Sequence, residues 1–140
     1  MHQKLNVSLL VSLLFFVSGC SQNVLPKWLQ GEWIVDSETT MEYAKLNIPE
    51  ESHAENLSIR NLELVLPSMR EMKLEISGME ILASIHGQRK ITKVEVHKIE
   101  RNMVSLVQPD GIVTDYHKTD EGFWTTTDTG DIKIFFKRKK

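Results

Sequence analysis

Few of the side chains able to do chemistry fall at spacings that chemistry uses. Beyond the first nineteen residues the histidines are His53, His86, His97 and His117. None meets another at the four-residue helical spacing, with a glutamate between, that grips a zinc ion. Odd–even parity puts His86, His97 and His117 on the polar phase of their strands, so each is expected in solvent, whereas a metal needs converging ligands. The acid pairs Glu50-Glu51 and Asp120-Glu121 are adjacent in sequence and fall at a helix start or a turn, where a carboxylate favours the helix dipole or closes the turn. Hydroxyls crowd at Thr125, Thr126 and Thr127, but no Gly-x-Ser-x-Gly elbow leads into a helix and no hydroxyl has an evident base. The residues therefore read as those of a non-enzyme, with no catalytic group, no metal and no cofactor. One nucleophile is left: Cys20, the single cysteine, which has no intrachain partner for a disulfide.

Its position gives Cys20 another use. Positions 5–18 hold ten apolar residues in fourteen and no charge, with Lys4 ahead and Ser18-Gly19 behind. A charged start, a greasy centre and small residues before a cut mark a secretory signal peptide, and the stretch is shorter than the roughly 20 residues that span a bilayer. Val17, Ser18, Gly19 and Cys20 resemble the lipobox of bacterial lipoproteins at every position. That resemblance implies acylation of the Cys20 thiol, cleavage just before Cys20, and acylation of the freed amine. The first partner is then membrane lipid, held by two or three chains at about 0.8 kcal/mol per buried methylene. Ser21, where an aspartate tends to retain lipoproteins in the inner membrane, implies an outer-membrane protein facing the periplasm in a Gram-negative host. The chain divides into a leader at 1–19, the lipidated cysteine and a short tether at 20–27, and one domain at 28–140. Seven tether residues reach at most about 25 Å, so the domain works close to its membrane.

Processing leaves 121 of the 140 residues, enough for one modest core, with no cysteine to staple it. It removes one of 17 basic residues, Lys4, and none of the 19 acidic ones, so the mature chain stands at −3. Nothing in that balance suggests a nucleic-acid partner. The exception is the terminal run Lys137, Arg138, Lys139 and Lys140. Near anionic lipid each of these could add about 1 kcal/mol of attraction; the alternative is a solvated tail on the last strand.

Elements that could position a site follow from periodicity. From Met72 onward the apolar period is two, the mark of half-buried strands. Met72, Leu74 and Ile76 share a face, as do Ile81, Ala83 and Ile85, then Val94 and Val96, then Val104 and Leu106. Gly87-Gln88 reads as a turn, and Pro109-Asp110-Gly111 is the strongest hairpin signal, with a proline to start the turn and a glycine for positive φ. Ile112, Thr114 and Tyr116, the 123–127 stretch, and Ile132, Ile134 and Phe136 continue the meander, with 128–131 as its last turn. Two capping boxes, Thr39-x-x-Glu42 and Ser52-x-x-Glu55, could each start a helix. Leu62, Val65, Leu66 and Met69 would give the second an apolar face. Pro67 argues against it, leaving a short strand at 62–66 as the other option. The expectation is a mainly β (α+β) fold: an antiparallel meander closing into a barrel or half-barrel of about eight strands, with a helical pair after the first.

Gly31-Glu32-Trp33, opening that first strand, resembles the Gly-x-Trp signature of the lipocalin and fatty-acid-binding superfamily, the calycins. Two short helices after the first strand resemble the fatty-acid-binding branch. The resemblance implies a basic residue of the last strand, Lys137 or Arg138, packed over Trp33, a contact favourable by about 0.5 to 2 kcal/mol. It also implies an apolar small molecule as ligand, with Trp33, Leu74, Ile85, Val94, Leu106, Tyr116 and Ile134 as pocket or core. The alternative function is a filled-core envelope module, an inhibitor or assembly factor, that binds a protein through the loops at 109–111 and 127–131. Both readings keep the anchor. Cys20→Ser is expected to move the protein out of the membrane fraction and to abolish the added acyl mass; membrane association that survives the substitution contradicts it.

Overall fold

The computed structural model describes residues 24–46, 48–127 and 132–140. The leader, Cys20, Ser21 and the turn at 128–131 lie outside the described residues. Strand β1 (Gly31–Val35) is followed by α1 (Ser37–Lys45), a 3-10 turn (Glu50–Ser52) and α2 (Leu57–Met69). Eight strands follow: β2 (Lys73–Ser77), β3 (Glu80–Ile85), β4 (Gln88–Lys93), β5 (Glu95–Glu100), β6 (Met103–Val107), β7 (Val113–Lys118), β8 (Gly122–Thr126) and β9 (Lys133–Arg138). They form one antiparallel sheet in the order β4-β3-β2-β1-β9-β8-β7-β6-β5. The result is the expected β-rich, nearly closed barrel-like sheet with a helical pair after the first strand, and it has nine strands instead of eight. The added strand is β4, which starts where a turn at Gly87-Gln88 was expected. Val94 does not belong to the strand of Val96 but forms the corner between β4 and β5.

Every hairpin in this sheet joins chain neighbours, so two joins between the halves of the sheet, one by strand pairing and one by the chain itself, carry the topology. The first is β1 with β9, pairing Trp33 with Arg138 and Val35 with Phe136. Trp33 is buried and donates its indole N–H to the Leu29 carbonyl at 2.9 Å. The Arg138 guanidinium lies 4.2 Å from the ring centre of Trp33 and donates to the Gln30 carbonyl at 2.7 Å and to that of Trp28 at 3.5 Å. Of the two basic residues the sequence offered for this contact, Arg138 makes it. Gly31 adopts φ +122, and a Cβ there would collide with Arg138 Nη1. Glycine at that position is therefore a condition of the clasp, on both conformational and steric grounds.

The core grows from that point. Phe123 meets Trp33 edge-on at 5.0 Å and stacks on Phe136 at 4.8 Å, and Tyr116 tilts against Phe123 at 5.5 Å. Arrangements of this kind add about 0.5–1.5 kcal/mol beyond area burial. Val104, Leu106, Ile76, Ile81 and Ile134 join the same buried cluster, as do Leu62 and Leu66 from α2 and Leu25 and Leu29 from the segment before β1. Gly122 is fixed by packing too, since a Cβ would strike the Phe136 carbonyl oxygen of the paired strand.

Both helix starts differ from the capping boxes. Asp36 caps α1: its Oδ1 accepts the Thr39 N–H at 3.1 Å and its Oδ2 accepts the Thr39 hydroxyl at 2.8 Å. Asp36 also extends the strand ladder, its N–H donating to the Phe135 carbonyl at 2.8 Å, so strand end and helix start are one residue. Beyond it α1 replaces β1 beside β9, where the buried Thr40 hydroxyl accepts the Phe135 N–H at 3.0 Å. Asn56 caps α2 through the Ile59 N–H at 3.1 Å, while Ser52 ends the 3-10 turn. The buried stripe of α2 begins at Ile59 and runs through Leu62 and Leu66, so the nearest polar residue one turn ahead is Asn56. The 62–66 segment is helical and Val65 is exposed. Pro67 sits in the last turn, where its missing N–H removes one bond and the Arg70 N–H still reaches the Leu66 carbonyl at 2.9 Å.

The second join is covalent. In an antiparallel sheet of nine strands the two outermost run in the same direction, and here they are β4 and β5, separated in sequence by Val94 alone. They form one extended run bent at Val94, which is buried and donates its N–H to the Met79 carbonyl at 3.0 Å. The chain crosses from one sheet edge to the other at that bend, and the edges are not laddered together. Urea unfolding tests the clasp. Arg138→Ala should cost about 1–2 kcal/mol through the lost ring contact and carbonyl bonds. Gly122→Ala should cost about 1–3 kcal/mol as β9 is pushed aside. Midpoints should fall at constant slope, and a wild-type midpoint in Arg138→Ala contradicts the clasp.

Candidate functional site

The open side of the barrel is built from a two-residue hairpin. His86 and Gly87 both have positive φ, 48 and 78, the pattern of the type I′ turn whose twist matches the flanking strands. Ile85 and Gln88 close it. The His86 Nδ1 lies 2.7 Å from Glu71 Oε2, which ties the turn to the end of the helical segment. Register from β3 then sets the faces of β4. Gln88, Lys90 and Thr92 oppose Ile85, Ala83 and Ile81 on the barrel side; Arg89, Ile91 and Lys93 oppose Ser84, Leu82 and Glu80 outside. Both faces of β4 are largely exposed. Ile91, the single apolar residue of the strand, is 62% exposed.

Across from β4 stands the hairpin between β6 and β7. Gly111 donates to the Gln108 carbonyl at 2.9 Å with φ +86, Gln108 donates to the Ile112 carbonyl at 2.9 Å, and Asp110 Oδ1 accepts the Ile112 N–H at 3.0 Å. This bank is pinned by its own bonds. Between it and the β4–β5 corner lies a groove of about 720 Å3 floored by Met79, Val94 and Val107, with Glu80, Lys93 and Glu95 at its rim. It runs into a second of about 520 Å3 lined by Lys90, Ile91, Thr92 and Lys93 against Gln108, Pro109 and Asp110. A smaller hollow of about 470 Å3 separates the helices over Met41 and Leu66.

The sequence-predicted pocket residues are not gathered there. Trp33, Leu106, Tyr116, Ile134 and Val94 belong to the buried core, Leu74 packs against it half-buried, and Ile85 is half-buried at the end of β3. Val94 alone also lines the groove. Burial among apolar rings pushes the Tyr116 phenol up to about 12. The terminal basic run is split by strand parity: Arg138 turns inward onto Trp33, while Lys137 lies 3.9 Å from Asp36 and Lys139 3.9 Å from Glu32. Lys139 also meets Lys73, and the hydrogen bond between the two amines lowers Lys139 and, with Glu32, raises Lys73. Lys140 is exposed.

A second constellation occupies the outer face of β7 to β9. His117 stacks on Trp124 at 3.8 Å, and Lys133 Nζ sits 4.0 Å from the Trp124 ring centre and 4.6 Å from that of Tyr43, which leans on Phe135. Next to it Ser105 donates a short hydrogen bond to Asp115. Among the described residues, no three His, Cys, Asp or Glu side chains gather as a metal site would need, and no helix is long and apolar enough to cross a membrane.

Sequence reasoning found one bank of the groove, Pro109 to Gly111, and missed the other. Ile91-Thr92, a β-branched pair bracketed by Gly87 and the buried Val94, was the available signal for β4. No family model, curated protein or solved structure matches the chain.

His117 gives the outer strip a measurable signature. Burial, with the charge of Lys133 adding and that of Asp115 opposing, holds its pKa below the ordinary 6.5. The unfolded chain then binds the proton more readily, so this contribution is present above 6.5 and is lost as pH falls through 6.5 toward the folded value. The expected outcome is an imidazole titrating below 6.5 by NMR and a urea midpoint that drops with acid less steeply in His117→Gln than in wild type. Titration at or above 6.5 would contradict the packing.

Proposed function

We propose that the chain is an envelope lipoprotein, anchored through Cys20, whose barrel-like domain binds a protein partner in the groove between β4 and the 108–111 hairpin. The observation that carries this reading is the groove itself, bounded on one bank by a strand laddered on one side only and on the other by a hairpin rigid through its own hydrogen bonds. Support also comes from the core, where five of the seven inward positions named from sequence are buried and a sixth, Leu74, packs against them half-buried. The anchor rests on the lipobox resemblance of Val17, Ser18, Gly19 and Cys20. It would hold the groove within a short tether of the membrane, within reach of envelope assemblies or enzymes to be assisted or inhibited.

One observation favours the second reading, an apolar small molecule held on the barrel side. Leu74 and Ile85 remain partly exposed on the inward face, and the Gly31–Trp33–Arg138 arrangement fits the calycin resemblance.

Native mass spectrometry separates the two on the full processed protein, extracted gently from its own envelope. The interaction module is expected to give the mass of the lipidated chain alone. A photoreactive residue at Gln108 should then yield a discrete protein adduct that the same residue at Ser84 does not. A stoichiometric adduct of lipid or metabolite mass, with no crosslink at Gln108, would overturn the module in favour of the carrier.

A further inference from the structure

The chemistry of β4 narrows the partner. Strand β4 reads Gln88, Arg89, Lys90, Ile91, Thr92, Lys93: three cations, no acid, and one exposed isoleucine. Among the described residues its hydrogen-bonding neighbour is β3 alone. The groove beside it is lined by Lys90 and Thr92 from the barrel face and by Ile91 and Lys93 from the outer face, so the opening follows the backbone edge of the strand and does not lie over one face. The floor of the adjoining hollow is apolar at Met79, Val94 and Val107, with Glu80 and Glu95 at its rim, and Asp110 stands on the facing hairpin.

We propose that β4 is a strand-addition site, and that its occupant is an extended acidic segment of a partner protein which pairs with the β4 backbone and places carboxylates against Arg89, Lys90 and Lys93. This deepens the groove reading and rests on it. An unpaired edge offers a row of N–H and C=O groups to any extended chain, and cationic side chains are a common guard on such edges. The guard is selective. Two copies of this edge would set like charges directly opposite one another, which is unfavourable, while opposite charges at cross-strand positions are favourable. The positive row therefore excludes a second β4 and admits an acidic strand. Main-chain bonds would supply affinity and the alternating side chains specificity. Six residues of strand offer roughly 20 Å of edge; Glu80, opposite Lys93, and Glu95, at the start of β5, stand at the Lys93 end of the groove, so the segment's carboxylates fall chiefly on Arg89 and Lys90.

The test uses the processed full chain and a labelled nine-residue peptide in which pairs of glutamates alternate with pairs of threonines, so that both faces of the added strand carry carboxylates, read by fluorescence anisotropy and by hydrogen exchange of the β4 amides. Binding is expected, with protection of amides in 88–93, and the same peptide with lysine in place of glutamate should not bind. Arg89→Glu with Lys90→Glu should weaken binding about tenfold, the sum of a few cross-strand charge pairs. These positions oppose Ser84 and Ala83, so the reversal creates no like-charge pair within the sheet, and unchanged urea unfolding serves as the folding check. The acidic peptide N-methylated at every residue has the charge without the ladder donors. Equal binding of that peptide, or binding without β4 protection, would reduce the effect to surface charge and overturn strand addition. No binding of the acidic peptide overturns it as well. A dimer that dissociates on charge reversal would assign the edge to a second copy and also overturn it. A Gln108 crosslink that persists undiminished in the reversed chain would leave the groove reading standing and refute the acidic strand.

Discussion

The pairing of β1 with β9 is the constraint on which the rest of this structure depends. All other strand pairs join strands consecutive in the chain, so β1 to β4 and β5 to β9 form two runs whose strand pairing with each other is that of β1 with β9, where Trp33 faces Arg138 and Val35 faces Phe136. Bringing those residues together closes a loop of about a hundred residues, and that entropy must be offset by strong local contacts. They are present. Arg138 covers the Trp33 ring and bonds to two carbonyls of the turn that leads into β1, Phe123 and Phe136 pack beneath it, and Gly31 leaves the room that the guanidinium occupies.

The place of that join also decides where the sheet is open. With β1 and β9 in the interior of the order, β4 and β5 become the two edges, and the chain must step from one to the other. It does so through Val94, whose burial and hydrogen bond to Met79 hold the bend. The groove is the space left by that step, closed on its far side by the Gln108 to Gly111 turn. Clasp, corner and groove are thus consequences of one topology, and the side chains on β4 are free to serve solubility or recognition because the core does not need them.

Much of this was legible in the sequence. Period-two alternation from Leu74 to Phe136 marked the meander, Gly31 and Trp33 marked the first strand, and the basic residue over Trp33 was narrowed to two candidates. What was not legible has physical reasons. Strand β4 buries nothing on its inward face, where Gln88, Lys90 and Thr92 stand, so it carried no apolar period. Thr39-x-x-Glu42 and Ser52-x-x-Glu55 satisfy the local capping pattern, yet the strand end and the buried stripe put the helix starts at Asp36 and Asn56. Pro67 was tolerated because it falls in a final turn. The candidate site was half readable for the same reason. A tight turn such as Pro109 to Gly111 announces itself locally, whereas an edge is defined by which strand it lacks, a property of the whole sheet.

Amide-resolved hydrogen exchange of the native domain tests this account most directly. The account predicts that amides of β1 and β9 around Trp33, Val35 and Phe136 exchange only through global unfolding, and that amides of β4 and β5 on their unpaired sides exchange fastest among the strands. Protection of every β4 amide equal to that of β1, or early loss of β1 and β9 while both meanders stay protected, would contradict it.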